Sequence, residues 1–486
     1  MIALIPIILV LILAIRTKDI YFSLLIGIFT ALFIFTGFNP FTTVTTFTKV
    51  LSDVTSGYID ILLYVALIGL FIYLIEASGA PHAFAEKLIN KLKTKKQTII
   101  VSTLLGILCF VDDYFSLLVV DSVMSPIADK NGMSREKLAY IADATAGPIC
   151  LITPMSSWVG LIAASLPLTS QIDGYALYIK TIPFNLYAWL TLVFIFVLAF
   201  MKIDFGRMKK LEAKVGDKEM KKSTIITKAK PKDLILPIII SVIATILCFL
   251  YSGGFFSGAS LTQAFADCNS LASLNAGMII TLLSMAVLYI PRKILTPKKF
   301  VESITEGFKF ISPALLILLL AWSFSMSCGM DYLNFTGWVA DLITNSHLSF
   351  VFLPALLFIS CFILTLSSGS SWTAMGLLIP LASLLFNDTV SPLMILSTAA
   401  ILSGGAAGDH LGPLNDTTVL SATFAQANYP AHVVSQLHYG LIVVAISFIG
   451  FLIAGISGLY WTGILFGLVT IPLILFIIKH RQLRRS

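Results

Sequence analysis

The chain has 486 residues, of which 57% are hydrophobic and only 12% charged, with a mean hydropathy of +0.94. Apolar runs as long as a bilayer is thick follow one another from end to end, which excludes a soluble globular protein and indicates a polytopic helical membrane protein. The net charge of +7 gives no nucleic-acid signal, because Lys and Arg fall in short blocks between apolar runs and so report topology.

The apolar start MIALIPIILVLILAI carries no basic residue ahead of it, and Arg16 and Lys18 follow it, so it reads as a first span near 2–15 and not as a cleaved signal. Spans near 20–37 and 60–77 come next, followed by a linker with Lys87, Lys91, Lys93, Lys95 and Lys96. Taking Arg16 and Lys18 as cytoplasmic puts this linker on the cytoplasmic side as well and the N-terminus outside. A region interrupted by polar residues covers 98–166, and a span near 183–201 leads into 202–232, where eleven Lys or Arg face four acidic residues. That segment reads as a solvated cytoplasmic linker between an N-terminal half, 1–201, and a C-terminal half, 233–479, with a cytoplasmic tail at 480–486.

In the second half, spans near 233–251 and 274–290 precede the basic turn of Arg292, Lys293, Lys298 and Lys299. A span at 310–327 then reaches a linker, 328–347, that holds Asp331 and Asp341 and no Lys or Arg. Its counterpart after the 60–77 span is the five-lysine linker. Opposite charge at corresponding places implies two repeats of inverted topology, about 60–166 and 310–424, with 80–97 and 202–232 cytoplasmic and 252–273 and 328–347 on the other side.

Polar breaks recur at near-constant spacing. Gly79 and Gly329 are 250 residues apart, Asp113 and Ser370 257, and Ser156 and Asp409 253. Each half thus has two interrupted segments, Asp112-Asp113-Tyr114 and Thr153-Pro154-Met155-Ser156-Ser157-Trp158 in the first, Gly369-Ser370-Ser371-Trp372 and the stretch around Asp409 in the second. Gly408, Pro413 and Gly369 are expected to interrupt helices near mid-membrane. Broken helices present amides and carbonyls there that can bind anions and cations. Asp112, Asp113, Asp143, Asp409 and Asp416 are candidate ion or proton sites, because a carboxylate at membrane depth needs a polar surrounding and no Lys or Arg occurs between Lys309 and Lys479. Na⁺ takes hard oxygen ligands, which these carboxylates, freed carbonyls and the hydroxyls of Ser370, Ser371, Thr417 and Thr418 supply.

Gly369-Ser370-Ser371-Trp372 and the run Gly408-Asp409-His410-Leu411-Gly412-Pro413-Leu414-Asn415-Asp416-Thr417-Thr418 resemble the paired signatures GSSW and GDHxSPxSDTT of the NhaC family of sodium/proton antiporters. The resemblance implies an all-α architecture of about 10–12 membrane segments, with a scaffold part and a transport part of re-entrant hairpins and broken helices. It also implies that Gly369, Ser370, Ser371, His410, Asn415 and Thr417 belong to a break that coordinates substrate or ion, and the serine-rich break at Ser156 and Ser157 is the candidate read from the residues in the first half. The family pattern differs here in two places. The first half has Asp112-Asp113-Tyr114-Phe115 and Ser156-Ser157-Trp158 where simpler members carry GxSW and GDxxSP, and Gly412 and Asn415 stand where serines are usual.

The expected function is secondary transport by alternating access, with Na⁺ and H⁺ exchanged at the aspartates. The alternative is an Na⁺- or H⁺-coupled carrier of a small organic solute, an amino acid or a carboxylate, and a channel ranks behind both. No HExxH or Gly-x-Ser-x-Gly motif suggests an enzyme, and no cofactor is expected beyond the transported ions. The partners are the lipid bilayer of the cell membrane and the ions, with a homodimer left open and nucleic acid excluded. The six cysteines are scattered and read as packing residues. Asp129 and Glu136 are expected in a solvated loop and His438 and Tyr439 as an interfacial anchor, while Asp121, another carboxylate at membrane depth, is left open between a local cap or pair and a functional role.

Overall fold

The computed structural model describes residues 4–484 except 18, 90, 160–164, 167–169, 171, 216–227, 267, 330, 335–348, 387–388 and 414. The described residues form helices and no strand. In the first half these are α1 (Leu4–Thr17), α2 (Ile20–Phe35), α3 (Pro40–Gly57), α4 (Ile59–Ser78), α5 (Ala80–Ile89), α6 (Lys95–Leu108), α7 (Asp113–Lys130), α8 (Arg135–Leu151), α9 (Gly174–Thr181), α10 (Leu186–Met201) and α11 (Gly206–Glu212). In the second they are α12 (Lys232–Ser252), α13 (Leu261–Ala266), α14 (Ser270–Tyr289), α15 (Pro297–Cys328), α16 (Leu353–Ser368), α17 (Ser371–Leu385), α18 (Pro392–Leu411), α19 (Asp416–Phe424), α20 (Tyr429–Ser457) and α21 (Thr462–Leu483).

Every expected span coincides with a helix, and α3 is an addition. Its run of threonines is too polar for a span, but Asn39 accepts the N–H groups of Phe41 and Thr42 and Pro40 opens the first turn, which is enough to start a helix. Six helices of the described residues are long and apolar enough to cross a bilayer, seven if the bent α15 is included. Its halves, Pro297–Pro313 and Leu318–Cys328, meet at 42°, a kink placed by Pro313.

Two hairpins open to opposite faces. In the first, α6 and α7 turn back at 109–112, and the ends close where Asn131 Nδ2 donates to Thr98 Oγ1 at 2.8 Å. Its mouth meets the segment after α10, because Glu212 accepts from Lys95 Nζ at 2.6 Å and from the Ser134 amide at 2.7 Å. In the second, α16 and α17 turn back at Gly369, whose φ of +74° favours glycine, and the Phe350 and Phe386 rings close the mouth at 5.9 Å. That mouth lies beside Gly455, near the far end of α20. The near end of α20 follows the 425–428 turn, which bonds to Arg135 and Glu136 at the first mouth. A 29-residue helix spans roughly 43 Å, so the two mouths lie on opposite sides of the membrane.

Helix starts sharpen the internal repeat. Lys95 and Leu353 are 258 residues apart, Asp113 and Ser371 258, and Arg135 and Pro392 257. On this register Asp113 pairs with Ser371 and not Ser370, and Asp409 falls opposite Ile152, the end of the matching helix, and not opposite Ser156. The hairpin α16–α17 packs on α18 through small residues: a Cβ on Gly404 would lie 2.3 Å from the Phe358 carbonyl, and one on Gly408 2.5 Å from Thr365 Cβ.

Candidate functional site

Asp112 and Asp113 sit at the tip of the first hairpin, where α6 ends and α7 begins. Asp112 caps α7 by accepting the Phe115 amide at 3.1 Å, so its carboxylate also satisfies a helix end. Asp113 accepts the Tyr114 amide at 3.0 Å and the Trp158 indole N–H at 3.1 Å. This tip meets the break after α8, where the Ser157 amide donates to Val111 O at 2.9 Å. The carbonyls freed at that break have protein partners. Tyr178 OH donates to Cys150 O at 2.8 Å and Thr153 O at 2.7 Å, Ser156 Oγ donates to Cys150 O at 2.7 Å, and Asn185 Nδ2 donates to Leu151 O at 3.0 Å. Ser156 is thereby occupied as a backbone cap, whereas the Ser157 hydroxyl is buried without a partner.

The break in the second half is at 412–415. The helix α18 runs straight through Gly408, contrary to expectation, because that glycine serves close packing against α16 and leaves the turn to Gly412 and Pro413. Asp409 and His410 lie in its last turn, both buried. Asp409 Oδ1 accepts from Asn415 Nδ2 at 2.7 Å, and Oδ2 from Thr417 Oγ1 at 3.3 Å. Thr418 Oγ1 donates to Asp409 O at 3.3 Å, and Gln436 Nε2 to His410 O at 2.7 Å, which satisfies the helix end. His410 Nδ1 is 2.6 Å from Tyr187 OH. The Asp416 side chain lies outside the described residues, though its backbone opens α19.

The two halves meet at Gly147 on α8. A Cβ there would be 3.3 Å from the Trp158 ring and 3.8 Å from Asp409 Oδ2. Trp158 therefore links Asp113 of one repeat to the neighbourhood of Asp409 of the other. The broken helices cross where both carboxylates are held. Ser370 and Ser371 are buried at the tip of the second hairpin, which packs against the same end of α18 through Met375 and Gly405.

Sequence reasoning placed Asp113, Asp143, Asp409, His410, Asn415 and Thr417 in this interior. It missed Trp158, Tyr187, His432 and Gln436, of which His432 and Gln436 mark a polar stripe on otherwise apolar α20. Three expectations are corrected. Of the two alternatives for Asp121 the local cap or pair is the one excluded: it is fully buried and neither of its oxygens has a hydrogen-bond partner. Asp129 and Glu136 are not simply solvated, because Arg135 grips Asp129 at 2.7 Å and the Asn428 amide donates to Glu136 at 3.2 Å. Tyr439 is fully buried, and its OH donates to Asp204 at 2.8 Å, so it anchors the segment that follows α10 and not the interface. No cluster of three His, Cys, Asp or Glu placed to hold a metal ion occurs among the described residues.

The model of the Na⁺/H⁺ antiporter family matches residues 144–456, which include α18, its break and the second hairpin. The chain belongs to this family. A Haemophilus influenzae protein of uncharacterised role is 29% identical over 437 residues, 87% of this chain and 83% of that one. The Malate-2H(+)/Na(+)-lactate antiporter of Bacillus subtilis is 33% identical over 105 residues, 22% of each. Among solved structures, the YdaH transporter of Alcanivorax borkumensis superposes with a TM-score of 0.57 at 16% identity, covering 90% of this chain and 89% of that one. Neisseria gonorrhoeae MtrF, described with a class of antimetabolite efflux pumps, gives a TM-score of 0.59 at 15% identity and 84% coverage of each. These two likenesses show a shared fold. This member of the Na⁺/H⁺ antiporter family is a multi-pass secondary transporter.

Proposed function

We propose that the chain exchanges Na⁺ for H⁺ by alternating access, with the cation held where the two broken helices cross, at Asp409 and Asp113. The observation that carries this reading is the convergence on Gly147 of Asp409 from one side and Trp158, the partner of Asp113, from the other. Two carboxylates that close to a low-dielectric interior attract a cation, and α16 to α20 contain no Lys or Arg that could neutralise them. Hard oxygen ligands suit Na⁺, and Asn415 and Thr417 hold the Asp409 carboxylate in place. Hairpins that open to opposite faces supply two gates around one site. On this reading the halves 1–201 and 233–479 move about the linker 202–232, the basic segments face the cytoplasm, and the N-terminus is outside.

A second reading, exchange of a small organic acid or zwitterion coupled to the same ions, is favoured by the 105-residue likeness to a protein named as a malate and lactate antiporter. The lack of Lys and Arg between Lys309 and Lys479 weighs against a multiply charged anion in that half. One experiment separates the two. The full chain is reconstituted in proteoliposomes with a pH-sensitive dye inside, and an Na⁺ gradient is imposed. Proton movement on Na⁺ alone is expected. Proton movement that waits for an added carboxylate or amino acid would replace the first reading with the second.

A further inference from the structure

A second group of carboxylates lies nearer the first mouth than the Asp409 and Asp113 crossing. The turn 131–134 joins α7 and α8 as antiparallel neighbours, so Asp121, nine residues before Lys130, and Asp143, eight after Arg135, lie level at about 12–13 Å from that turn. Both are buried, and they act on each other electrostatically. Facing them, α19 and α20 bring His432, whose Nε2 is 3.7 Å from Asp143 Oδ2 and 3.1 Å from Ser421 Oγ.

The polar atoms here are under-bonded. Neither oxygen of Asp121, nor Asp143 Oδ2, His432 Nδ1, His410 Nε2 or Gln436 Oε1, has a hydrogen-bond partner, although every one of these side chains is more than nine-tenths buried. Leaving such groups unsatisfied is costly, so a cluster of them in a native fold signals a ligand. The mix of groups identifies its class. Carboxylates alone would suit a metal cation, but carboxylates interleaved with imidazoles are groups that take up and release protons.

We infer that Asp121, Asp143 and His432 form a proton-holding site, separate from the cation site at Asp409 and Asp113 and linked to it along α8. The inference rests on the antiport reading and divides its chemistry between two places. A proton passes from water at the first mouth to the Asp143–His432 pair, so that the pair gains one positive charge and no other bond changes. Asp143 and Gly147 are one turn apart on the same face of α8, and Gly147 backs onto Asp409. Loading the proton therefore removes a negative charge about one helical turn from the cation and weakens its hold; unloading restores it. The titratable groups facing this pair are Asp121 on α7, Tyr187 on α10, His410 on α18 and Tyr429 on α20, and Arg135 at the foot of α8 acts on Asp121.

The test is Na⁺ binding to the purified full chain, measured by titration calorimetry at several values between about pH 6 and pH 9, the range a histidine-linked site spans. In the wild type the apparent affinity should fall by up to tenfold per pH unit on the acid side, the limit for one proton against one cation. Asp143→Asn should still bind Na⁺, with the pH dependence reduced to about twofold or less over that range. His432→Gln, which can keep the Ser421 hydrogen bond, should shift the profile without abolishing binding, and it serves should Asp143→Asn not fold. Loss of Na⁺ binding in folded Asp143→Asn at every pH would make Asp143 a cation ligand and overturn the two-site inference. A wild-type profile in both variants would overturn it as well. No Na⁺ binding by the wild type at any pH would instead sink the antiport reading itself.

Discussion

Asn415 Nδ2 donates to Asp409 Oδ1 at 2.7 Å, so the residue that closes the break positions the carboxylate that precedes it. Asn415→Ala is expected to lower stability by about 1–3 kcal/mol, the cost of removing a donor from a buried charged acceptor. Asn415→Asp should be worse, because it sets two carboxylates against each other. Thermal unfolding in detergent, with Na⁺-driven proton flux from the same preparation, checks both. Equal stability of the alanine and wild-type proteins would remove Asn415 from the site.

Trp158 does for Asp113 what Asn415 does for Asp409. Its indole N–H is 3.1 Å from Asp113 Oδ2, and its ring packs on Gly147. Trp158→Phe keeps most of the ring and removes the donor, so a loss of about 1.5–3 kcal/mol is expected, as for hydrogen bonds to charged groups. Combined with Asp113→Asn, the effects should not add, and a coupling of about 0.5–3 kcal/mol is the signature of contact. Strict additivity in the double-mutant cycle would show that the pair is not energetically linked.

The close approach of α16 and α18 yields a packing prediction with its own control. A methyl on Gly408 would lie 2.5 Å from Thr365 Cβ and 2.8 Å from Phe362 O, whereas one on Gly376 would meet nothing within 4 Å. Gly408→Ala should therefore destabilise by about 1–3 kcal/mol, typical of overpacking. Gly376→Ala should be neutral or stabilising by up to about 1 kcal/mol, since alanine favours a helix. Gel-filtration yield and melting temperature distinguish them. A folded, fully active Gly408→Ala would contradict the packing described.

These cases show what was legible in the sequence. Span positions and inversion followed from apolar run lengths and from Lys and Arg placement, because both are set by the bilayer and survive any detail of packing. The breaks were visible as Gly, Pro and Asp in apolar runs, but their exact turns were not. Gly408 marks a helix contact and Gly412 the turn, and a sequence does not say which glycine is needed for a neighbour and which for a dihedral. The candidate site was half legible. Asp409 and Asp113 stand out because a carboxylate is rare at that depth. Trp158 and Tyr187 do not, since an aromatic in an apolar run looks like core until its polar atom is seen to reach a partner. His432 and Gln436 recur at helical spacing on α20, a stripe that could have been read.

Inversion makes a topological prediction. The end of α5 at Ile89 and residues 131–134, 206–212 and 425–428 lie on one face, tied by Lys130 to Ile89, Ser134 to Glu212 and Arg135 to Ala425. The turn 458–461 after α20 lies on the other. Single cysteines at exposed positions of these turns, labelled by an impermeant maleimide in intact and opened cells, should separate into these two sets. Labelling of 425–428 and 458–461 from the same side would refute the arrangement of α20.

The last prediction concerns the ion pair that ties the linker to the first hairpin. Glu212 has a side-chain exposure of 6%, with Lys95 at 2.6 Å and the Ser134 amide at 2.7 Å. Burial pushes its pKa up, but the nearby charge of Lys137 and the bonds from Lys95 and Ser134 outweigh that, and the net displacement is below the usual carboxylate value of 4.5. A depressed folded-state pKa means that the unfolded chain binds its proton first as the solution is acidified. The stabilisation is therefore complete above pH 4.5 and is lost as the pH falls below it through the folded-state value. Glu212→Gln should melt below the wild type at neutral pH, and the gap should close as the pH drops past that range. Melting curves of both proteins across the acid range test the sign. A gap that stayed constant, or widened in acid, would mean that the carboxylate charge does not stabilise this contact. The linker would then be held by the other bonds to it, those of Lys137, Tyr439 and Gln482 to Asp204 among them.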